Sequence, residues 1–281
     1  FDVIVAGMGA MGSAAMYQLA KRGVKVLGLD LYNPPHRKGS SHGETRMTRA
    51  ACGEGQIFTE FAQRSHAIWR DIESETGAQL LTLNGQLLLD KPGASEGHGV
   101  PDFLGQTAAL AARSGIAHEV LGSEEIRKRF PAFAVGDDER AYFDTSSGYV
   151  RPEACIEAQL SLAEKFGAAV RGSEPVTKIA SSGTGVRVST PRGEYAAKTL
   201  ILSAGAWLPG LLPPKEKGRF SVRRQVLYWF AVRDERDLPM FRPENFPAFV
   251  WFKKKPAYLV YGFPALGTAR EGIKLASEQT E

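Results

Sequence analysis

Residues 1–12, Phe1-Asp2-Val3-Ile4-Val5-Ala6-Gly7-Met8-Gly9-Ala10-Met11-Gly12, run a short apolar strand straight into a G-x-G-x-x-G turn. A helical pattern follows over 13–22, and a second apolar strand over 24–29 ends on Asp30. That order of strand, glycines, helix, strand and acid constrains the chain to open on a βαβ unit of the dinucleotide-binding type. Gly7 permits the tight turn, Gly9 lets the backbone approach a pyrophosphate, and Gly12 lets helix and strand pack closely. The helix N-terminus offers unpaired N–H groups and the positive end of its dipole. Asp30 lies 18 residues after Gly12, where a carboxylate accepts hydrogen bonds from ribose hydroxyls. A glycine-rich structural turn, the plain alternative, would require neither the second strand nor the acid.

With 281 residues and 43% hydrophobic content, the chain has enough apolar material for one large domain or two intimately joined ones. No apolar run approaches the roughly 18 residues of a membrane span, so no membrane association is expected. The start lacks a signal peptide's basic-then-apolar pattern, and the absent initiator Met suggests a trimmed beginning. Two cysteines, Cys52 and Cys155, imply no disulfide framework and point to a reducing cytoplasm. The net charge of +4 is mild, and the run Lys253-Lys254-Lys255 before Pro256 reads as a solvated turn. Nucleic-acid binding would call for a broader basic face. No cluster has metal-ligand spacing.

Residues 31–55 form a long loop rich in Pro, Gly, Ser, His and Arg, a length that usually marks function or disorder. Over 56–76, Phe58, Phe61, Ile68, Trp69 and Ile72 fall at amphipathic helical spacing. Strands over 80–83 and 86–89 flank Asn84-Gly85, a hairpin turn signal. A helix is expected over 102–114, and Ser123 is expected to cap a short helix carrying Glu124 and Glu125. Pro152 opens a helix reaching about Phe166 and closed by Gly167. Strands follow over 174–180, 186–190 and 195–203, the last entering Ala204-Gly205-Ala206-Trp207. Beyond Arg219 the pattern turns β-rich over 220–232, 248–252, 257–261 and 273–276. The expected fold class is therefore α/β: a discontinuous Rossmann-like (βαβ) cofactor domain with an inserted β-rich substrate domain. Residues 1–80 and 140–215 are assigned to the former, and 81–139 and 216–281 to the latter.

The segment from Asp30 through Pro34-Pro35-His36, Gly39-Ser40-Ser41 and His42-Gly43-Glu44-Thr45-Arg46 resembles the flavin-contacting loop of the monomeric sarcosine oxidase and N-methyltryptophan oxidase family. These are D-amino-acid-oxidase-like flavoenzymes. Further similarity lies in Cys52-Gly53-Glu54-Gly55, Ser147-Gly148, Leu202-Ser203-Ala204-Gly205-Ala206-Trp207, Arg224-Gln225-Val226, Tyr261-Gly262-Phe263-Pro264 and Gly272-Ile273-Lys274. The resemblance runs in order over the whole chain. It implies FAD as cofactor, an amine or amino-acid substrate, molecular oxygen as acceptor, and a monomer. Members of the family continue past the position of Glu281, where a cysteine attaches FAD and a Gly-His-Gly-Phe-Lys segment meets the flavin. Neither Cys52 nor Cys155 matches that cysteine, and a truncated chain is expected.

By the same resemblance, Gly7, Gly9, Ala10, Met11, Gly12 and Asp30 contact FAD, joined by Ser40, Ser41, His42 and Arg46 from the loop. Val176, Ala204, Gly205 and Trp207 contact it from the later section. Arg49 matches a residue that pairs with the substrate acid, as a bidentate guanidinium suits; a structural salt bridge is the alternative. His42 and Arg46 would supply charge near the flavin, although a loop histidine also serves as a plain hydrogen-bonder. Lys274 matches a lysine that promotes reaction with oxygen, against the reading of a surface lysine on an edge strand. Tyr261 would shape the substrate pocket, or simply pack in the core. Cys52 stands where the family often has an aromatic, and both cysteines read as buried, unreactive thiols. The leading expectation is an FAD-dependent oxidase of N-methylated or other secondary amino acids. A dehydrogenase using another acceptor, a non-catalytic flavin-binding subunit and an NAD(P)-binding domain stand as alternatives.

Overall fold

The computed structural model describes residues 1–93, 96–97, 99–253 and 258–277. The chain divides into two units, the first formed by Phe1–Glu44, Ile72–Leu80 and Arg151–Arg223. The second is formed by Thr45–Asp71, Leu81–Val150 and the described residues from Arg224 onward.

The first unit is built on a four-stranded parallel sheet. Val26–Leu29 and Thr199–Leu202 flank Val3–Ala6, and Ala169–Arg171 pairs with Val26–Leu29. Every residue of Val3–Ala6 and Val26–Leu29 is buried, the continuous apolar pattern of parallel strands covered on both faces. On one face Met16 and Ala20 of the helix Ala10–Ala20 meet Ile156 and Leu160 of Pro152–Lys165 over Val3, Val5 and Val26. A buried bond from Ser13 Oγ to Gln159 Oε1 (2.8 Å) ties the two helices. On the other face an antiparallel meander of Lys178–Ser182, Gly185–Thr190 and Gly193–Ala197 brings Val188 and Ala197 against Ile4, Leu27 and Leu29.

The strand expected over 195–203 is two strands in two sheets. The break falls at Lys198, whose backbone N–H donates to Asp2 O (3.1 Å) and whose Nζ pairs with the Asp2 carboxylate (2.8 Å). The strand expected from 174 begins only at Lys178. Residue Glu174 instead gives its N–H to Asp30 O at 2.8 Å. Ala169–Arg171 carries no sequence signal of its own, being too short to show a period.

The second unit is dominated by a seven-stranded mixed sheet. Its order is Leu227–Phe230, Ile273–Ser277, Tyr258–Phe263, Ala248–Lys253, Gln86–Asp90, Arg140–Asp144, His118–Gly122. Its one parallel pairing joins Ala248–Lys253 to Gln86–Asp90. Successive side chains take opposite faces. Leu87, Leu89, Phe143 and Phe249 enter one core with Phe130, Phe133 and Phe246, whereas Leu88, Tyr142 and Val250 enter the other with Phe103, Leu104 and Phe252. Arg46–Thr48, Gly148–Val150 and Leu81–Thr82 form a smaller antiparallel sheet.

The expected hairpin at Asn84-Gly85 does not form. Leu81–Thr82 pairs with Gly148–Val150, while Gln86–Asp90 pairs with Arg140–Asp144 and Ala248–Lys253. Gly85 has φ +87°, gives its N–H to Ser147 O (3.0 Å), and leaves no room for a Cβ beside the Phe143 ring (2.8 Å). Asn84 Nδ2 donates to Phe246 O (3.0 Å). The dipeptide therefore turns the chain from one sheet into another, held by tertiary contacts. Ser123 is likewise not a cap: Gly122 holds that position, and Ser123 Oγ donates to Asp137 O (3.0 Å). Asp102 does cap Phe103–Arg113, accepting from Gly105 N.

The helix Gln56–Thr76 forms as expected and is divided between the units after Asp71. Ile72 is buried, but Phe58 and Phe61 are 50% and 63% exposed; the buried neighbour is Thr59, whose Oγ1 accepts from Cys52 N (3.1 Å). Of the strand expected over 220–232 only Leu227–Phe230 forms. The expected turn at Lys254, Lys255 and Pro256, and Ala257 of the next strand, lie outside the described residues. The expected domain limits also differ from the observed units. Residues 45–71 belong to the second unit, and Arg140–Asp144 is bonded between Gln86–Asp90 and His118–Gly122.

Phe133 stacks on Phe246 (4.7 Å between centroids) and meets Phe249 edge-on (5.0 Å). Phe133→Ala is expected to lower unfolding free energy by about 3–5 kcal/mol, read as a shifted denaturant midpoint at unchanged slope. Burial pushes the Cys155 thiol up to about 12 and raises that of Cys52, where Arg49 only partly offsets the effect. A raised thiol keeps its proton, so both cysteines should resist iodoacetamide at pH 8 in the folded protein and react once denatured, as mass spectrometry would show.

Candidate active site

The first unit holds a cavity of about 900 Å³ at the tip of its parallel sheet. Gly7, Gly9, Ala10 and Met11 form one wall. Gly7 has φ +96°, and a Cβ there would meet Ser203 O at 2.5 Å. Gly12 lies behind this wall, where a Cβ would strike Gly7 O at 1.8 Å, so its role is close packing. At Gly9 a Cβ would meet nothing nearer than Ser41 Oγ at 3.4 Å, which leaves the backbone open to the cavity. The helix Ala10–Ala20 begins there without a side-chain cap and without an acid in its first turn. An anion is the natural complement of such an end.

Asp30 closes the second strand and is 8% exposed. Its Oδ2 accepts from Met8 N (2.6 Å) and its Oδ1 from Tyr32 N (2.9 Å), with His36 Nε2 at 3.5 Å. A carboxylate has about four acceptor sites, so capacity remains for a ribose hydroxyl. Ser40 and Ser41 reach the same cavity, Ser41 Oγ accepting from Ala10 N (3.1 Å). The far wall is Val176 with Ala204, Gly205 and Trp207. Ser203 Oγ donates to Gly7 O (2.7 Å) and binds that wall to the glycine turn. The Trp207 ring stands edge-on to Tyr32 at 5.9 Å. Tyr32, His36 and Ser203 line the cavity too; each lies inside a segment that carries the family resemblance, but nothing in the sequence singles it out individually. The glycine cradle, the uncapped helix, the acid and a volume within the usual ~300–1,000 Å³ range fit a dinucleotide cofactor.

His42 and Arg46 do not line this cavity. His42 is half-buried in a loop held by Glu153, whose carboxylate accepts from Gly43 N (2.6 Å) and Glu44 N (3.2 Å). Arg46 opens the strand Arg46–Thr48 in the second unit.

The remaining candidates lie in that second unit. Lys274 is not on an edge: its strand runs between Leu227–Phe230 and Tyr258–Phe263, and it is 3% exposed. It pairs in register with Trp229 on one side and Phe263 on the other. Its Nζ donates to Thr45 O (2.6 Å) and lies 4.2 Å from the Phe263 centroid and 6.0 Å from that of Trp229. A buried ammonium is costly unless so compensated. The bond sets Lys274 against the residue that precedes Arg46. Tyr261 is half-buried, its ring edge-on to Phe263 at 6.4 Å. Arg49 forms a two-bonded pair with Glu54, NH2 to Oε1 at 2.6 Å and NH1 to Oε2 at 3.2 Å, and its guanidinium lies 6.0 Å from the Phe103 centroid. Cys52 is buried, with Sγ 3.7 Å from Arg49 O. Among the described residues no three His, Cys, Asp or Glu side chains are grouped to hold a metal ion, and no helix is long and apolar enough to cross a membrane.

Residues 2–278 match the family of FAD dependent oxidoreductases. Monomeric sarcosine oxidase of Streptomyces avermitilis is 38% identical over 278 residues, covering 98% of this chain and 69% of that protein. N-methyl-L-tryptophan oxidase of Yersinia pestis is 34% identical over 269 residues, covering 96% of this chain and 68% of that protein. The solved structure of NikD, an unusual amino acid oxidase essential for nikkomycin biosynthesis, superposes with a TM-score of 0.76 at 22% identity. It covers 99% of this chain and 69% of that one and bears on the fold alone. With the cavity's glycine cradle and acid in place, these matches make the chain a member of the FAD-dependent oxidoreductase family.

Proposed function

We propose that this FAD-dependent oxidoreductase oxidises N-methylated or other secondary amino acids, with molecular oxygen as the terminal acceptor. The observation that carries the reading is Lys274, a cation buried in a row of aromatic side chains and held by a backbone carbonyl. A stability-driven sheet would place an apolar residue there. The names of the relatives, sarcosine oxidase and N-methyl-L-tryptophan oxidase, support the substrate class, and "monomeric" in the former supports action as a single chain. Two buried free thiols suit a reducing cytoplasm.

FAD, when bound in this cavity, would supply the redox chemistry: two-electron acceptance from an amine carbon and two-electron delivery to oxygen. The chain's residues bind, orient and set charge. In the first unit, the glycine turn and the helix end would hold the pyrophosphate, Asp30 the ribose, and Val176 and Trp207 the far wall. In the second, Arg49 would take the substrate carboxylate in the two-bonded geometry it now uses with Glu54. Lys274 would hold a fixed positive charge that stabilises reduced oxygen, with Arg46 and His42 adding charge and Tyr261 shaping the pocket. Water would then hydrolyse the released imine to an aldehyde or ketone and the shortened amine.

The test is an anaerobic titration of the flavin-loaded protein with sarcosine and N-methyl-L-tryptophan, followed by air. Bleaching, then rapid recovery with peroxide, is expected; a flavin that no secondary amino acid bleaches would overturn the reading. Lys274→Met should slow reoxidation by air about a hundredfold, with reduction by substrate changed only a few-fold. Arg49→Gln should raise KM for the amino acid at least about tenfold, as steady-state kinetics would show.

A further inference from the structure

Arg49 is bracketed by one short segment of the chain. On one side Thr48 is fixed by its register with Gly148. On the other, the backbone N–H of Ala50 donates to Ser147 Oγ at 2.8 Å. The two residues flanking Arg49 are thus held by the consecutive residues Ser147 and Gly148, the first of them 97 positions downstream of Ala50. Ser147 Oγ in turn donates to Asp144 Oδ2 (2.8 Å), while Asp144 Oδ1 accepts from Ser146 N (2.8 Å). Ser147 and Asp144 are 0% and 1% exposed. A surface Asp-Thr-Ser-Ser turn would need only the local bond to Ser146; burying a carboxylate to orient one hydroxyl toward a distant amide is costly. Burial pushes the Asp144 carboxyl above its ordinary range, and the bond from Ser147 pulls it back.

We propose that Asp144 and Ser147 are positioning residues: through the Ala50 amide they fix the backbone at Arg49, and so the aim of its guanidinium at the substrate carboxylate. The proposal rests on the reading of Arg49 as the carboxylate anchor. A planar fork binds a carboxylate bidentately only when its angle matches, and small misplacements are expensive. Asp144 accepts the Ser147 hydroxyl hydrogen, which turns an Oγ lone pair toward the Ala50 N–H; without it the hydroxyl rotor has no set direction.

The experiment compares Ser147→Ala, Asp144→Asn and Arg49→Gln in the flavin-loaded protein. Probes are sarcosine or N-methyl-L-tryptophan, whichever reduces the flavin, and the carboxylate-free amines dimethylamine and N-methyltryptamine. Acetate binding by calorimetry gives a readout independent of turnover. Ser147→Ala is expected to raise KM for the amino acid and Kd for acetate about tenfold, with the limiting rate of flavin reduction kept within about twofold and the carboxylate-free amine unaffected. Asp144→Asn retains an oxygen for Ser147 and is expected to shift both constants less; it serves also if Ser147→Ala fails to fold. Unchanged KM and Kd in both variants would overturn the proposal, as would equal losses with both substrate kinds, the mark of a merely structural role. If Arg49→Gln itself leaves KM and Kd unchanged, the anchor reading falls and the proposal with it. If Arg49→Gln raises them and Ser147→Ala does not, the positioning alone fails.

Discussion

Contact between the first glycine turn and Ser203–Ala204, just past the strand Thr199–Leu202, organises the cofactor-binding unit. Gly7 O accepts from Ser203 Oγ at 2.7 Å, and no side chain fits between the two backbones. Val3–Ala6 is paired on both edges, with Thr199–Leu202 on one and Val26–Leu29 on the other. The strand tip then presents the glycine turn, Asp30 and the Ala204–Trp207 segment around one cavity. Each lining group arrives from a different strand end, the usual place for ligands in open α/β sheets. What the cavity accepts is therefore decided by backbone proximity more than by any single side chain.

The second unit solves a different problem, that of keeping charge inside an aromatic sheet. Lys274 is placed on a carbonyl and two ring faces, Arg49 on a carboxylate, and Asp144 on a hydroxyl and an amide. Arg49 belongs to the segment 45–54, Lys274 bonds to it at Thr45, and Asp144 reaches it through Ser147 and Ala50. The short strand Arg46–Thr48 gains little from its three ladder pairs, so these polar bonds supply much of its definition. Precision at Arg46 and Arg49 is in this sense bought from buried polar groups elsewhere.

The opening βαβ unit is legible in the sequence because turn glycines, helical period and terminal acid each demand it separately. Cavity-lining positions such as Ser41, Val176 and Trp207 are legible through family resemblance, and the cofactor is confirmed by the family match. Asn84-Gly85 misleads because a turn dipeptide reports only local geometry; which strands it joins is decided by Ser147 and Phe246, far away in the chain. The strand 195–203 misleads for the same reason, since Asp2 splits it at Lys198. Phe58 and Phe61 have helical spacing and still face outward, because period fixes the helix and not the side it turns to the core. Ser147 has no sequence signal beyond the resemblance: its partner Ala50 is specified by a backbone amide, and every residue but proline has one.

The long-range pairing of Val3 with Thr199 also sets a schedule for biosynthesis. At about 5–20 residues per second, the ribosome delivers the partner strand roughly 10–40 s after the first strand emerges. During that interval one edge of Val3–Ala6, apolar on both faces, has no neighbour to receive its N–H and C=O groups. Val26–Leu29 occupies the opposite edge and cannot cover this one, so the strand is most exposed to edge-to-edge aggregation while the rest of the polypeptide is still being made.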